Sequence, residues 1–571
     1  MNRREFIKSL VFMSLGLPMM GKTMDGVEPS VSVALYVFDT RHIPIEHRYT
    51  ILSAQGILNR YMYETGRGVY CIWEHGREFY RGDTYKSESE LWLKIYEIRG
   101  LVSSNYVDLN TLVRLVKRFA EGYVIYDPRF IHSVNIATTI AGVKNALIVH
   151  PNAENIVKRF GLRKIIDLRD VNSKYWNNDA IKCYEWQMHE LLDDCNKEQI
   201  AFNGGFRFTI DYAISYGMCS VALNPVDPKQ RELLMKYYKS IKYYGLNMGY
   251  PWTCKLERAM VECASKAGLR TGLMPSLRGA PFALNYSVHS RMPKPEEYHQ
   301  EIPIDVEYSD DKIYLAFGLS DLGFGMLQGF YYDQWHDPFR FNEKRTVKLN
   351  WWMDALAMDI APQIAKYFYD TKHPKLDLFY SAHVHGRIRP SDFPNLPDYL
   401  ERGKSKLKRM CLKVVAFSNH HKWDEYVFEQ YSTHLKGAVK GFIFGFGPEF
   451  GDIQCMIRED MPWVFTTFLY QGEPQTAKIV YDYIRKHDTP QFLVYGCAFG
   501  YQIPYAKVVQ RLQYIYNYLK EKLSDKIVNV NAVELMEIVR HHYGERMDWL
   551  PLTATIGAMG IAMYAYQKMK G

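Results

Sequence analysis

Within LDLFYSAHVHGRIRP, Leu376 to Pro390, two imidazoles and two guanidiniums (His383, His385, Arg387, Arg389) take alternate positions just after an apolar run that reads as a buried strand. Chemically capable residues recur directly after other apolar runs. Asp321 follows KIYLAFGLS, Asp354 follows TVKLNWW, Asn419, His420 and His421 follow LKVVAFS, and Glu449 and Asp452 follow VKGFIFGF. Paired carboxylates across a cleft are what glycosidic bond cleavage needs: one protonated to release the leaving oxygen, one ionised as nucleophile or base. Asp321 in FGLSDLGFG and Glu449 in FGFGPEFGD both leave glycine-rich strand ends, where burial can raise one pKa while the other group stays ionised. They are the expected catalytic pair. Trp335 and Trp352 would offer apolar faces to sugar rings, with Asp354, His383, His385 and His420 as polar contacts. Arg387 and Arg389 suit a carboxylate or sulfate on the ligand, gripped by bidentate hydrogen bonds.

A different chemistry competes for the same residues. His383 and His385 at i and i+2 lie on one face of an extended segment, and with His420 and Asp321 they could form an open metal site for hydrolysis or deacetylation. The neighbouring arginines disfavour a cation there, so no metal and no other cofactor is expected. Phosphoryl transfer, nicotinamide chemistry and serine hydrolysis drop out, because the chain has no P-loop, no dinucleotide glycine fingerprint and no GxSxG elbow.

The elements that must position these residues are legible as a pattern. Short β-branched or aromatic runs (VSVALYVF, GVYCIW, EGYVIYD, ALIVH, RKIIDL) alternate with helical stretches up to about residue 285, which predicts an α/β domain with a largely parallel sheet over 31–285. The polar, proline-bearing stretch 286–310 reads as a linker. No internal repeat is visible. From 311 to 545 eight apolar runs end in KIYLAFGLS, TVKLNWW, LDLFYSA, LKVVAFS, VKGFIFGF, WVFTTFL, QFLVYGC and KIVNVN, several followed by helical patterns. That rhythm predicts a TIM-like β/α barrel, closed or slightly incomplete, with the chemistry gathered at the C-terminal mouth of its strands.

The chain has 571 residues, 47% hydrophobic, enough for two or more cores. A net charge of +8 without a long Lys/Arg block predicts no nucleic-acid partner. MNRREFIKSLVFMSLGLPMMG joins Arg3-Arg4 to an apolar run too short to span a bilayer, the outline of a twin-arginine signal over 1–26 that sends folded cargo to the periplasm or beyond. The apolar tail 546–571 reads as a docked terminal helix, so no membrane association is expected apart from export. Nine scattered cysteines have no zinc spacing, and a pair such as Cys183 and Cys195 could be bridged in an oxidising compartment.

Several stretches together resemble the GxGYxYP family, bacterial proteins assigned to glycoside hydrolysis that pair an N-terminal α/β domain with a barrel-like C-terminal domain. ILSAQGILNR (Ile51 to Arg60) is similar to its LQGxVNR segment, and GYVIYDPRFIHSVNIATTIAGVKNALIV (Gly122 to Val149) to its GYVxYD stretch. FGLSD (Phe317 to Asp321) sits where the family has SDGDN, NWWMDALAMDIAPQIAKYFYD parallels its GWTISPALADLAP helix, and VHGRIRP falls where the naming motif belongs. Of that motif Gly386 and Pro390 remain, with Arg387 and Arg389 in the two tyrosine positions; of SDGDN, Ser320 and Asp321 remain, with Gly323 and Phe324 in place of the second acid and the asparagine. The resemblance implies a glycan as substrate, an oligosaccharide or polysaccharide, and the arginines imply an acidic or sulfated one. The lost acid leaves a further alternative, a non-catalytic glycan-binding protein.

Overall fold

The computed structural model describes residues 32–73, 88–204, 209–251, 254–273, 285–320, 335, 338–417, 422–445, 453–470, 477–498 and 508–547. Ten short strands in the N-terminal half build three all-parallel sheets. Strands β1 (Val33–Asp39), β2 (Arg67–Ile72) and β3 (Val102–Tyr106) lie in the order β2-β1-β3, and β4 (Gly122–Ile125), β5 (Ala146–Val149) and β6 (Lys164–Asp167) in the order β5-β4-β6. Strands β7 (Gln199–Asn203), β8 (Cys219–Val221), β9 (Leu246–Tyr250) and β10 (Arg270–Leu273) lie in the order β10-β9-β7-β8. In each sheet the first strand is flanked by the second on one side and the third on the other, so one βαβαβ plan occurs three times. The first two units also share a turn. Asp39 and Asp127 each accept the backbone N–H of the arginine two residues on, Arg41 and Arg129, both at 3.0 Å, and pair with its guanidinium. The repeat escapes a sequence reading because what recurs is strand order and a D-x-R turn, not a run of identical residues.

In the C-terminal half all eight expected runs are strands: β11 (Ile313–Ser320), β12 (Leu349–Trp352), β13 (Asp377–Tyr380), β14 (Val414–Phe417), β15 (Gly441–Phe444), β17 (Met461–Tyr470), β18 (Gln491–Ala498) and β19 (Ile527–Asn529), with β16 (Cys455–Arg458) between the fifth and sixth. Seven form a parallel ring in the order β13-β12-β11-β18-β17-β15-β14. The ring is nearly closed by one residue: Ser381 donates its N–H to Val414 at 2.8 Å and accepts from Ala416 at 2.7 Å. The eighth run stays outside it. β19 pairs with the first half of β11, through Ile313 to Leu315, while β12 pairs with the second half, through Phe317 to Leu319. Asn529 bridges the gap at that end, donating to the Leu315 carbonyl at 2.9 Å and accepting from the Lys348 N–H. The connection from β15 to β17 carries β16, antiparallel to β17, instead of a helix among the described residues.

Local rules account for the helix boundaries. Pro362 has no N–H to continue a helix, so the predicted stretch after β12 divides into Ala357–Ile360 and Pro362–Asp370. Asp227 caps Pro228–Lys239 by accepting from Gln230 N–H, with proline at the first helical position where its missing donor does no harm.

The two halves share a core. Trp92, from the first unit, packs edge-on against Tyr367 and Phe368 of the barrel at 5.4 and 5.8 Å. The stretch 286–310 is packed too: Tyr286, Val288, His289 and Met292 are buried, and Asn285 hydrogen-bonds Gln55 and the backbone of Cys71. His289 sits among Tyr70, Tyr96 and Tyr286, and burial pushes its pKa down to about 3. Cys183 and Cys195 are free thiols. Among the described residues no helix is long and apolar enough to cross a membrane; the signal stretch and most of the apolar tail lie outside them.

Candidate active site at the barrel mouth

Because the seven ring strands run parallel, their last residues meet at one end of the barrel. Asp321, His420 and Glu449, called from the sequence, lie in segments outside the described residues, as do Asn419, His421 and Asp452. The loops after β12 and β13 are described, and they carry Asp354 and the HVHGRIR segment.

Asp354 follows β12 by two residues. Its Oδ1 accepts the N–H of Leu356 at 2.8 Å and of Gly386 at 3.0 Å, tying one mouth loop to the other. Burial raises its pKa to about 6, only partly opposed by those two donors. A carboxyl that takes up a proton near neutral pH at the mouth of a barrel is a candidate for acid-base work. Trp352 is 6% exposed, with its ring centroid 6.3 Å from those of Tyr380 and His383, so Trp352 at the end of β12 and His383 just past β13 lie beside each other.

The segment Ser381 to Arg389 is not extended, which changes the reading of its alternate side chains. It bends through 382–386, and Gly386 takes a left-handed φ of +85° that a side chain would strain. Val384, in the position of the first motif glycine, is buried against the helix Leu396–Arg409; a Cβ on Gly403 would come within 2.2 Å of it. Beyond the bend Arg387 exchanges both backbone hydrogen bonds with Thr271 at 2.8 Å, adding to the edge strand β10 of the third N-terminal sheet. The segment therefore stitches the barrel mouth to the N-terminal half.

Its side chains serve that junction. His385 is 4% exposed, with Nδ1 2.9 Å from the Tyr244 hydroxyl and 2.6 Å from Arg270 Nη1, and Nε2 2.9 Å from Asp359 Oδ2. Arg270 can only donate, so Nδ1 is the acceptor and Nε2 carries the proton. Burial, reinforced by the Arg270 charge, pushes the His385 pKa down to about 4, and the ring is neutral. Burial alone would raise Asp359, but the His385 hydrogen bond, Lys406 and Lys294 hold its carboxyl far below the usual range. With both nitrogens engaged, His385 is removed from the three-imidazole metal site. Among the described residues no group of three His, Cys, Asp or Glu side chains could hold a metal.

Arg387 pairs with Glu257, and Arg389 pairs with Glu262 at 3.0 Å and lies 2.9 Å from Asp392. Their charges are matched within the chain, which removes the ground for reading them as receptors of an anionic sugar. Glu257 and Glu262 belong to the helix Cys254–Lys266, more than 120 residues upstream, and no local spacing points to them. Trp335 also changes role. It is fully buried, stacked on Phe379 at 5.5 Å and covered by the Arg340 guanidinium at 3.8 Å, with Nε1 bonded to Thr371 at 2.7 Å. It is a core residue near the N-terminal end of the strands, not a sugar platform at the mouth.

Comparison with known proteins converges on one family. The profile of the "GxGYxYP_N second domain" matches residues 120–195, the second α/β unit. That of the "GxGYxYP putative glycoside hydrolase C-terminal domain" matches residues 311–540, the whole barrel. No curated protein matches the chain. A crystal structure described as a "putative hydrolase" from Bacteroides thetaiotaomicron superposes on 91% of this chain and 98% of its own, with a TM-score of 0.72 at 16% identity, a likeness of fold. The two profiles together take in more than half of the 571 residues, and the chain belongs to the GxGYxYP family.

Proposed function

We propose that the protein is a glycoside hydrolase acting on an oligosaccharide or polysaccharide at the barrel mouth, with Asp321 as one carboxylate of the pair and Glu449 as its partner. The observation that carries the reading is the coincidence of the family's hydrolase domain with the entire barrel, whose mouth holds a carboxyl, Asp354, kept near neutral titration at a cost to stability. Asp354, Trp352 and His383 contact the substrate in this reading. His385, Arg387 and Arg389 act as positioning residues that hold the mouth loop against the N-terminal half. Because both arginines are neutralised within the chain, the reading does not extend to acidic or sulfated sugars. Export through the twin-arginine signal is part of the same proposal and places the enzyme among extracytoplasmic glycans.

The replacement of the second SDGDN acid by Gly323 favours the second reading, a glycan binder without catalysis. A thermal-shift series on the signal-less chain tests the shared element, since a ligand that binds only the folded state raises its melting temperature. A saccharide at about 100 times its Kd is expected to stabilise by about 2.7 kcal/mol. Absence of any shift across neutral and charged glycans would contradict both readings.

A further inference from the structure

A cavity of about 220 Å³ lies in the N-terminal half, between the chain after β1 and the C-terminal ends of β4 and β5. None of its residues belongs to the barrel. In open parallel α/β sheets ligands bind outside the carboxyl ends of the strands, and this cavity occupies such a crevice between the first and second βαβαβ units. Its volume is below the roughly 300–1,000 Å³ of pockets for drug-sized ligands, so it takes a single ring.

Three rings form its walls at steep angles to one another. Tyr49 meets Tyr126 at 5.1 Å and 84°, and Tyr126 meets His150 at 5.6 Å and 69°. The rim carries Ile131, 49% exposed, and Ile45, 60% exposed. Such walls accept the apolar C–H face of a saturated six-membered ring. The polar groups supply both hydrogen-bonding senses. Glu46 and Arg48, two residues apart and on different sides of their helical turn, make no ion pair among the described residues, and Arg48 Nε is buried without a hydrogen-bond partner. Asp127, also on the wall, is already satisfied by Arg129 and Asn172. His150 Nδ1 accepts from Asn152 N–H at 3.1 Å, which leaves Nε2 as the donor of the neutral ring. An acceptor in Glu46 with donors in the terminal Nη groups of Arg48 and in His150 matches vicinal hydroxyls, each of which donates and accepts.

We propose that this cavity is a second carbohydrate site, taking one pyranose unit of a glycan on the N-terminal half; the choice of ligand class rests on the carbohydrate reading of the barrel. It would hold a polysaccharide by a unit distant in sequence from the cleavage machinery.

Hydrogen-exchange mass spectrometry on the signal-less full chain separates the two sites, because each reports through its own peptides. With a panel of neutral mono- and oligosaccharides, at least one is expected to slow exchange over 45–50 and 126–134. That protection should persist in Asp321→Asn and weaken by about tenfold in apparent affinity in Arg48→Ala and in the milder Glu46→Gln, without change at 381–389. Protection of the cavity without protection of the barrel mouth supports this site and counts against the barrel reading alone. Protection only at the mouth, or protection at 45–50 unaltered by both variants, overturns the second site; so does a panel in which no saccharide slows exchange there.

Discussion

Replacing Asp377 by alanine is expected to destabilise the barrel by about 3–5 kcal/mol, the loss typical of breaking a buried ion pair from one side. Asp377 opens β13 and is 2% exposed, and it faces two buried guanidiniums: Arg340, and Arg345 at 2.6 Å. It also accepts from Trp351 Nε1 and from His373 N–H, both at 3.0 Å. Burial alone would raise its pKa, but Arg345 and Arg340 hold the carboxyl far below the usual range. Alanine would leave two buried cations without their counter-charge and the Trp351 indole N–H without its acceptor. At about 2–4 °C per kcal/mol for a domain of this size, the melting temperature should fall by roughly 10 °C. Asp370 is the control. Its pairs with Arg99 and Lys366 are about a third exposed, and Asp370→Ala should cost less than about 1 kcal/mol. Denaturant unfolding decides the matter, and an Asp377→Ala loss below 1 kcal/mol would contradict the buried triad.

Asp354→Asn should do the reverse, and with a pH signature. The folded carboxyl titrates at about 6 against an unfolded value of 3.8, so the fold prefers the neutral form. Below pH 3.8 the group is protonated in both states and that preference is fully met; as the pH rises through 6 it is lost, and the buried carboxylate costs up to about 3 kcal/mol. Asparagine keeps an oxygen for the N–H groups of Leu356 and Gly386 and never ionises. The variant should therefore be more stable than the parent at pH 7.5, with the advantage vanishing by pH 4, while losing activity on any glycan the parent cleaves. That trade of stability for function separates a working carboxyl from a loop cap. A variant of unchanged stability at both pH values would place Asp354 in solvent-like surroundings and withdraw its role.

The barrel strands were legible because each is a short apolar run closed by a polar turn, and burial on both faces leaves no alternation to misread. The closure was not. β19 looks like any other run, and only its pairing with the first half of β11 keeps it out of the ring. In the N-terminal half β3 carries Ser103, Ser104 and Asn105, and β8 has three residues, too polar or too short for pattern reading. The site divides in the same way. Sequence adjacency to strand ends brought out Asp354, Trp352 and His383, whereas the partners of Arg387 and Arg389 come from a helix of the other half. Trp335 was misread because an aromatic in a polar stretch resembles a sugar platform until its burial is known.

Hydrolysis, as proposed, turns on Asp321, the carboxylate that follows Ser320 of β11 in the chain. The most direct test is release of reducing ends from a panel of polysaccharides by the signal-less chain, run beside Asp321→Asn. Turnover of at least one glycan is expected, with a loss of about 10²-fold or more in the variant. Equal release by parent and variant would contradict it.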